Sequence, residues 1–401
     1  MRDEINSLLD LGLIRASESC FASPCMLVDK PDCGHRLVVN YSKLNSQCEC
    51  QAFPIPRIDD LIDRVGQARY LTKLDITKAY WNLKLDEKSI QYSAFVTLGQ
   101  QREWLVCPFG LPGLCSTFSR LISKCLEKCK DFTAAYFDDV LVHSDEWHLH
   151  LLHIEKALSA IQSAGFSLNR AKCEFGRATP DFLGFQVGLG RIEPRQRKVE
   201  AILNFPSPKS KKILSSWISL ASYFQRFIPN FAHIVAVLTD LLRKNVQFVW
   251  SDAAEMAFKK LKFRMSSKPI LTTPNYDLPF YVACDCSNVA LGAALFHVIN
   301  EIEHPICFIS QKLNKHQRNY STIEKECFSL LTAVKRFSVY FGSSKVCVYT
   351  DHNPLVYLDK MSTSNQKLLR WKLQLQEFHL EIVHRAGKKK IHPDILSRPN
   401  S

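Results

Sequence analysis

Between Ala134 and Val142 the chain reads Ala-Ala-Tyr-Phe-Asp-Asp-Val-Leu-Val, two adjacent carboxylates inside an otherwise apolar run. Neighbouring like charges repel, and burying either of them is costly unless a cation or hydrogen bonds compensate. One continuous core strand is therefore excluded. The run demands a hairpin whose arms are buried and whose tip carries Asp138 and Asp139. A second apolar segment, Tyr70 to Leu74, ends in another acid, Asp75, followed by a short helical stretch. A lone strand-end Asp is ordinarily a turn residue. Carboxylates brought together from separate strands, however, can hold two metal ions about 4 Å apart, which phosphoryl transfer uses to activate the attacking oxygen and neutralise the transferring phosphate. Asp75, Asp138 and Asp139 meet that requirement.

The rest of the chain supplies enough material for two or three compact domains: 401 residues, 46% of them hydrophobic and 23% charged. A helix is expected over Asp3 to Leu13, closed by Gly12, and a hairpin from Met26-Leu27-Val28 and Leu37-Val38-Val39 around the turn-forming Pro31 to Gly34. A helix from about His148 to Ala164 stops at Gly165. Pro194, Pro206 and Pro208 punctuate a basic stretch, with Lys209, Lys211 and Lys212 opening a helical segment that extends to about residue 268. Beyond Pro279 the pattern becomes strands near 280–285, 291–298 and 305–309, a helix near 322–341, a strand at 346–350, a helix near 366–378 and a strand near 380–384. That is an α/β order with its own core, which puts a domain boundary near residue 270.

A net charge of +13 favours polyanionic partners such as nucleic acid. The 15 cysteines are odd in number and lie in a long chain, so they read as reduced thiols, mostly small core residues, and not as a disulfide scaffold. Neither they nor His148, His150 and His153 have the spacing of a zinc site. No apolar run reaches the length of a membrane span.

Several motifs, in order from about residue 3 to 205, resemble reverse transcriptases. Tyr136-Phe137-Asp138-Asp139 is similar to the family's Y-x-D-D signature, and Leu74-Asp75-Ile76-Thr77-Lys78-Ala79-Tyr80 to the strand carrying its other catalytic Asp. The resemblance implies that Asp75 and Asp138 ligate two Mg2+ ions, Mn2+ being an alternative, that Asp139 completes the site, and that Ile76 offers its carbonyl. It puts Tyr80 against the sugar 2′ position, Lys30 and Arg36 on the incoming triphosphate, and Phe109 and Gly110 of Pro108-Phe109-Gly110-Leu111 along the nucleotide pocket. Phe182-Leu183-Gly184-Phe185 resembles a primer grip at Leu183 and Gly184. The segment Leu214 to Ala232, with Ser222-Tyr223-Phe224-Gln225-Arg226-Phe227-Ile228-Pro229, resembles the linker of gypsy-type LTR retrotransposons. Departures are Asn40 and Ser42 in place of Asp and Arg, Gly113-Leu114-Cys115-Ser116 in place of an Asn-Ala-Pro-Ala-like stretch, and Ser219 in place of Gly.

Over about 277–398, Asp285, Glu326, Asp351 and Asp394 follow the order of the RNase H family, whose two-metal chemistry drives water onto an RNA phosphodiester. Glu324 competes with Glu326; Ala333-Val334 follows Glu326 at the family's spacing. His384, ten positions before Asp394, resembles a proton-shuttling histidine, with an exposed strand-end histidine as the alternative. The expected architecture is α/β (α+β): right-hand fingers and palm over 1–205, a helical thumb or connection over 206–270, and an RNase H-like domain with a mixed five-stranded sheet over 271–401. The implied partners are an RNA template, a DNA primer, the RNA–DNA hybrid and dNTPs, with protease, integrase and capsid as further polyprotein products and no membrane. The implied location is intracellular, cytoplasmic in a virus-like particle or nuclear, and not secreted. The chain starts within the expected fingers and carries no protease or integrase motif, so it reads as a piece of a polyprotein, with a non-catalytic nucleic-acid-binding remnant as the alternative.

Overall fold

The computed structural model describes residues 1–29, 35–49, 53–77, 79–97, 99–267, 269–350 and 365–385, without the side chains of His35 and Arg36. Its contacts divide into one unit of Met1–Leu183 and a second beginning at Gly184.

The first unit contains β1 (Ile14–Ala16), β2 (Ser23–Asp29), β3 (His35–Val39), β4 (Tyr70–Asp75), β5 (Phe95–Thr97), β6 (Gln100–Trp104), β7 (Thr133–Tyr136), β8 (Asp139–Ser144), β9 (Glu174–Arg177) and β10 (Asp181–Phe182). One sheet runs β1-β6-β5-β2-β3 and a second β7-β8-β4-β9. The opening helix, Arg2–Asp10, ends before Leu13, and Gly12 takes the positive φ (+63°) that ends it. Its Ile5 and Leu8 join Ile14, Leu37, Val39, Phe95 and Trp104 in one apolar core. The expected β2–β3 hairpin is antiparallel with Leu27 opposite Leu37; its turn, 30–34, lies outside the described residues. Under the second sheet, Leu74, Val140 and Val142 pack on Phe118 and Ile122 of helix Leu114–Cys125 and on Ala157 and Ile161 of helix Trp147–Ser163.

His150 and His153 on this last helix are tied into the fold by hydrogen bonds. His150 Nε2 meets Thr72 Oγ1 at 2.8 Å and its Nδ1 meets Ser144 Oγ at 3.0 Å; Ser144 Oγ also meets His153 Nδ1 at 2.7 Å, and His153 stacks on Phe132. Nearby on β8, burial and then the charges of Arg64, His153 and His150 push His143 from 6.5 to about 4. Between those values the unfolded chain takes up a proton that the fold refuses, so stability is full above pH 6.5 and drains away as pH falls toward 4. The difference corresponds to roughly 3 kcal/mol. Chemical unfolding of wild type and His143→Gln across pH 4–7 checks this: the substitution flattens the profile. An unchanged profile places the acid sensitivity elsewhere.

The second unit contains β11 (Phe185–Gly188), β12 (Arg191–Pro194), β13 (Leu271–Thr272), β14 (Phe280–Cys286), β15 (Ala290–Ile299), β16 (Ile302–Lys312), β17 (Val346–Thr350) and β18 (Leu380–His384). Strands β11, β12 and β13 pair antiparallel in that order. Between β12 and β13 come helices Gln196–Leu203, Lys211–Ser222, Phe231–Leu241 and Asp252–Ser266, joined through Trp217 on Phe258 at 4.4 Å. The expected five-stranded mixed sheet is present in the order β16-β15-β14-β17-β18, antiparallel across the first three strands and parallel across the last three. Helix Thr322–Phe341 lays Cys327, Leu330, Val334, Phe337 and Phe341 on Val282, Leu295, Val346 and Val348. That is the helical stripe meeting the inward face of alternating strands. Among the described residues no helix is long and apolar enough to cross a membrane.

Candidate active sites

Asp75 ends β4 directly opposite Asp139, the first residue of β8. The β7–β8 hairpin pairs Tyr136 with Asp139, which leaves Phe137 and Asp138 as a two-residue tip. Phe137 adopts φ +52°. A bulky residue rarely tolerates that region, at a cost of about 1–2 kcal/mol, and such strain persists where the surroundings enforce it. Here it delivers Asp138 to the tip, where its carbonyl accepts a bond from the Ile76 amide at 2.9 Å. Carboxylates facing each other across a ladder are unfavourable. Two lysines offset them: Lys73 Nζ lies 3.0 Å from Asp139, and Lys172 Nζ 3.8 Å from Asp75.

A cleft of about 310 Å3 opens over this edge, lined by Asp75, Ile76, Asp138, Tyr80, Phe109, Asn169 and Lys172 among others. Burial first, then the Asp138 and Asp139 charges, hold the Asp75 carboxyl above its ordinary range, against the opposing pull of Lys172 and Lys73. Negative charge is thus concentrated where a bound cation would relieve it. Among the described residues no three His, Cys, Asp or Glu side chains converge as a metal cluster. Asp75 and Asp138 share the cleft while Asp139 is taken up by Lys73. Two carboxylates suit Mg2+, which keeps waters and takes substrate phosphate oxygens for its remaining positions.

Tyr80 forms the cleft wall, edge-on to Phe109 at 5.3 Å and to Phe118 at 5.6 Å, with its hydroxyl 3.5 Å from Cys115 Sγ. Burial first, and then Cys115 and Asp138, push its phenol upward, so it stays neutral. Asn169 and Lys172 escaped the sequence reading. They arrive because residues 167–169 run beside the end of β4, with Thr77 N bonded to Ser167 O at 2.8 Å and Asn169 N to Asp75 O at 2.9 Å. Only the basic character of Lys172 hinted at this locally. Lys30 and the Arg36 side chain lie outside the described residues. Gly110 stands beside the cleft, its carbonyl accepting from Asn45 Nδ2 at 2.9 Å.

In the second unit, Asp285 lies near the end of β14 opposite Gly292. Ser329 Oγ donates to the Asp285 carbonyl at 3.1 Å, tying helix Thr322–Phe341 to that strand end. Glu326, one turn earlier on the same helix, is only 5% exposed. Burial, then Glu326 and Asp285, push the Cys286 thiol up to about 12, so both carboxylates act on one spot. Glu324 serves the helix instead. With Ser321 it forms the reciprocal cap, and it also accepts bonds from Asn365 and Lys367. Those donors, first the Ser321 amide, hold it at about 2. His384 is exposed at the end of β18, paired with Thr350. Asp351 and Asp394 lie outside the described residues.

Residues 28–187 match the sequence model of the family described as reverse transcriptase (RNA-dependent DNA polymerase), and residues 275–378 match that of the RNase H-like domain found in reverse transcriptase. The chain thus carries a reverse transcriptase domain followed by an RNase H-like domain. Its relatives include the retrovirus-related Pol polyproteins from transposons 297 and opus of Drosophila melanogaster, 34% and 32% identical over 99% and 98% of this chain. The transposon Tf2-3 polyprotein of Schizosaccharomyces pombe is 30% identical over 99% of it. The chain spans 38%, 41% and 30% of those relatives' lengths. The foamy viral protease–reverse transcriptase solved with double-stranded DNA shares the fold at TM-score 0.85 and 20% identity, covering 97% of this chain and 83% of that one. The same protein with RNA/DNA hybrid superposes at TM-score 0.79 and 19% identity, covering 99% and 54%. The fingers and palm, helical connection and RNase H-like sheet are thereby the fold that this chain shares with those structures.

Two of its sequence departures acquire structural roles. Asn40 Oδ1 accepts from Ser42 N and Oγ at 3.0 and 2.6 Å, opening helix Ser42–Asn45. Cys115 meets the Tyr80 hydroxyl. Nothing in the structure explains Ser219, whose hydroxyl donates to Ser215 O. Leu183 and Gly184, the expected primer grip, both have positive φ, +49° and +84°. At Gly184 the positive φ favours glycine, and the Lys198 ammonium lies where a Cβ would stand.

Proposed function

We propose that this chain extends a DNA primer on an RNA template in the Asp75–Asp138 cleft and hydrolyses the RNA strand of the hybrid at a separate site containing Asp285 and Glu326. The observation that carries the reading is the strained hairpin tip that puts Asp138 beside Asp75 in one cleft under an aromatic wall. Asp75 and Asp138 would hold Mg2+, or Mn2+, which accepts the same oxygen donors. Bound there, the metal supplies activation of the attacking oxygen and neutralisation of the phosphate charge. Lys172 offsets charge on Asp75 before substrate arrives. Tyr80, fixed by Phe109 and Phe118, presents a rigid ring where a ribose 2′-hydroxyl would clash, selecting dNTPs. Lys30 and Arg36 are assigned to the triphosphate, Leu183 and Gly184 to the primer, and Ile76 to the cleft lining. At the nuclease site Asp351 and Asp394 complete the carboxylate set, with His384 as proton carrier.

The lineage proposed is a gypsy-type LTR retrotransposon, acting inside the cell alongside other products of the same polyprotein. The net charge of +13 supports sequence-independent binding through phosphates. The test is primer extension on a labelled RNA template in Mg2+, with the RNA strand followed in the same tube. Extension with concurrent shortening of the RNA is the expected result. A folded chain that binds hybrid and does neither would sink the catalytic reading and leave the non-catalytic binding one.

A further inference from the structure

A second cleft, of about 260 Å3, lies within the second unit against Asp285. One wall holds Asp285 and Ser287. The other is made by the preceding helices: Asn230 and His233 at the start of Phe231–Leu241, and Lys260 and Arg264 on Asp252–Ser266. Four-residue spacing puts Lys260 and Arg264 on one face, a turn apart. Their neighbours are occupied: Lys259 pairs with Glu255 at 3.4 Å, and Lys262 donates to Phe205 O at 2.5 Å. Among the described residues no carboxylate lies within ion-pair distance of Lys260 or Arg264, whose charges face the cleft with only Asp285 of opposite sign along it.

The placement of these cations is fixed. Gly292 on β15 has no side chain, and Asn230 Oδ1 sits 2.2 Å from where a Cβ would stand, so the strand and helix segments approach closely there. Ala232 N donates to Ser310 Oγ at 2.8 Å, and Lys312 Nζ reaches Ala236 O and Thr239 Oγ1 at 2.9 Å each. Helix Phe231–Leu241 is thus fastened to β15 and β16, and helix Asp252–Ser266 packs on it, which holds Lys260 and Arg264 beside the acid proposed to serve RNA hydrolysis.

We propose that Lys260 and Arg264 each bind a backbone phosphate of the RNA–DNA hybrid next to Asp285, so that the linker helices set where the strand enters the nuclease site. The carboxylates proposed for the nuclease site would repel that backbone, and Lys260 and Arg264 supply positive charge along its path. Phosphates, not bases, are recognised, so the contact is indifferent to sequence. The inference rests on the hydrolytic reading, and its test separates the two.

The full chain is titrated onto fluorescent hybrid in EDTA over a range of salt concentrations, comparing wild type, Lys260→Gln/Arg264→Gln and Lys345→Gln. Lys345 pairs with Glu381 between β17 and β18 and serves as the charge control. Each lost phosphate contact lowers the slope of log affinity against log salt by about 0.9. The double variant is expected to be shallower by about 1.8 and the control unchanged. In Mg2+ the same variant raises the KM of hybrid cleavage with kcat retained, and Lys260→Arg/Arg264→Lys restores both readouts. If the double variant unfolds, the single variants, each shallower by about 0.9, carry the test. An unchanged slope in folded protein, or an equal loss in Lys345→Gln, overturns the proposal. Wild-type binding without cleavage overturns the hydrolytic reading instead, while the slopes still decide the phosphate contacts.

Discussion

Asp138→Asn abolishes primer extension and leaves hybrid cleavage intact. The substitution preserves the shape of the hairpin tip, whose backbone bond from Ile76 N to the residue-138 carbonyl does not involve the side chain. What is lost is one of the two negative charges that share the cleft. Charge stabilisation by a bound metal is worth several kcal/mol, so removing a ligand slows extension about a thousandfold. Because Asp138 raises the Asp75 carboxyl, the variant also leaves Asp75 easier to ionise and the cleft less strained electrostatically. The unfolding midpoint therefore holds or rises as activity disappears. Steady-state extension and thermal unfolding, run side by side, check both. A variant that still extends at a tenth of the wild-type rate or better would remove Asp138 from the metal site.

The mirror-image experiment is Glu326→Gln. Glutamine fills the same volume in a position that is 5% exposed, so the helix keeps its packing on β14. Its acid is gone, and with it a ligand to the metal ions of RNA hydrolysis, so cleavage falls about a thousandfold while extension continues. Glu324→Gln is the discriminating partner. Glu324 caps the helix and bonds Asn365 and Lys367, so its loss costs about 1 kcal/mol of stability and spares cleavage. Cleavage rates and denaturant midpoints for the two variants, measured together, separate catalysis from capping. The reverse pattern, cleavage lost only at Glu324, would exchange their assignments.

Much of this was legible because local chemistry and period agree. The helix predicted near 322–341 is found at those limits, since Ser321 and Glu324 announce its start and its apolar stripe repeats every three to four residues. The acidic hairpin was legible because adjacent carboxylates in an apolar run have one reasonable place to go. Short strands were less so: β1 has three residues, too few for an alternation to show, and β15 and β16 outrun the lengths read from pattern, with a register shift at Leu295/Phe296 that no local signal marks. The pairings of Lys73 with Asp139 and Lys172 with Asp75 were hidden for a different reason. They depend on register across strands and on a segment returning beside β4 about 90 residues later in the chain, which periodicity does not encode.

The attachment of the linker to β15 and β16 bears on the order of events during synthesis. Asn230, Ala232 and Ala236 leave the ribosome well before Gly292, Ser310 and Lys312, the residues they rest on. Domains fold as units while the chain emerges at about 5–20 residues per second, so helix Phe231–Leu241 waits several seconds with an uncovered apolar face. Over that interval the nascent chain is exposed to chaperones and to self-association, and a ribosomal pause between residues 240 and 290 would lengthen the hazard more than one placed after Lys312.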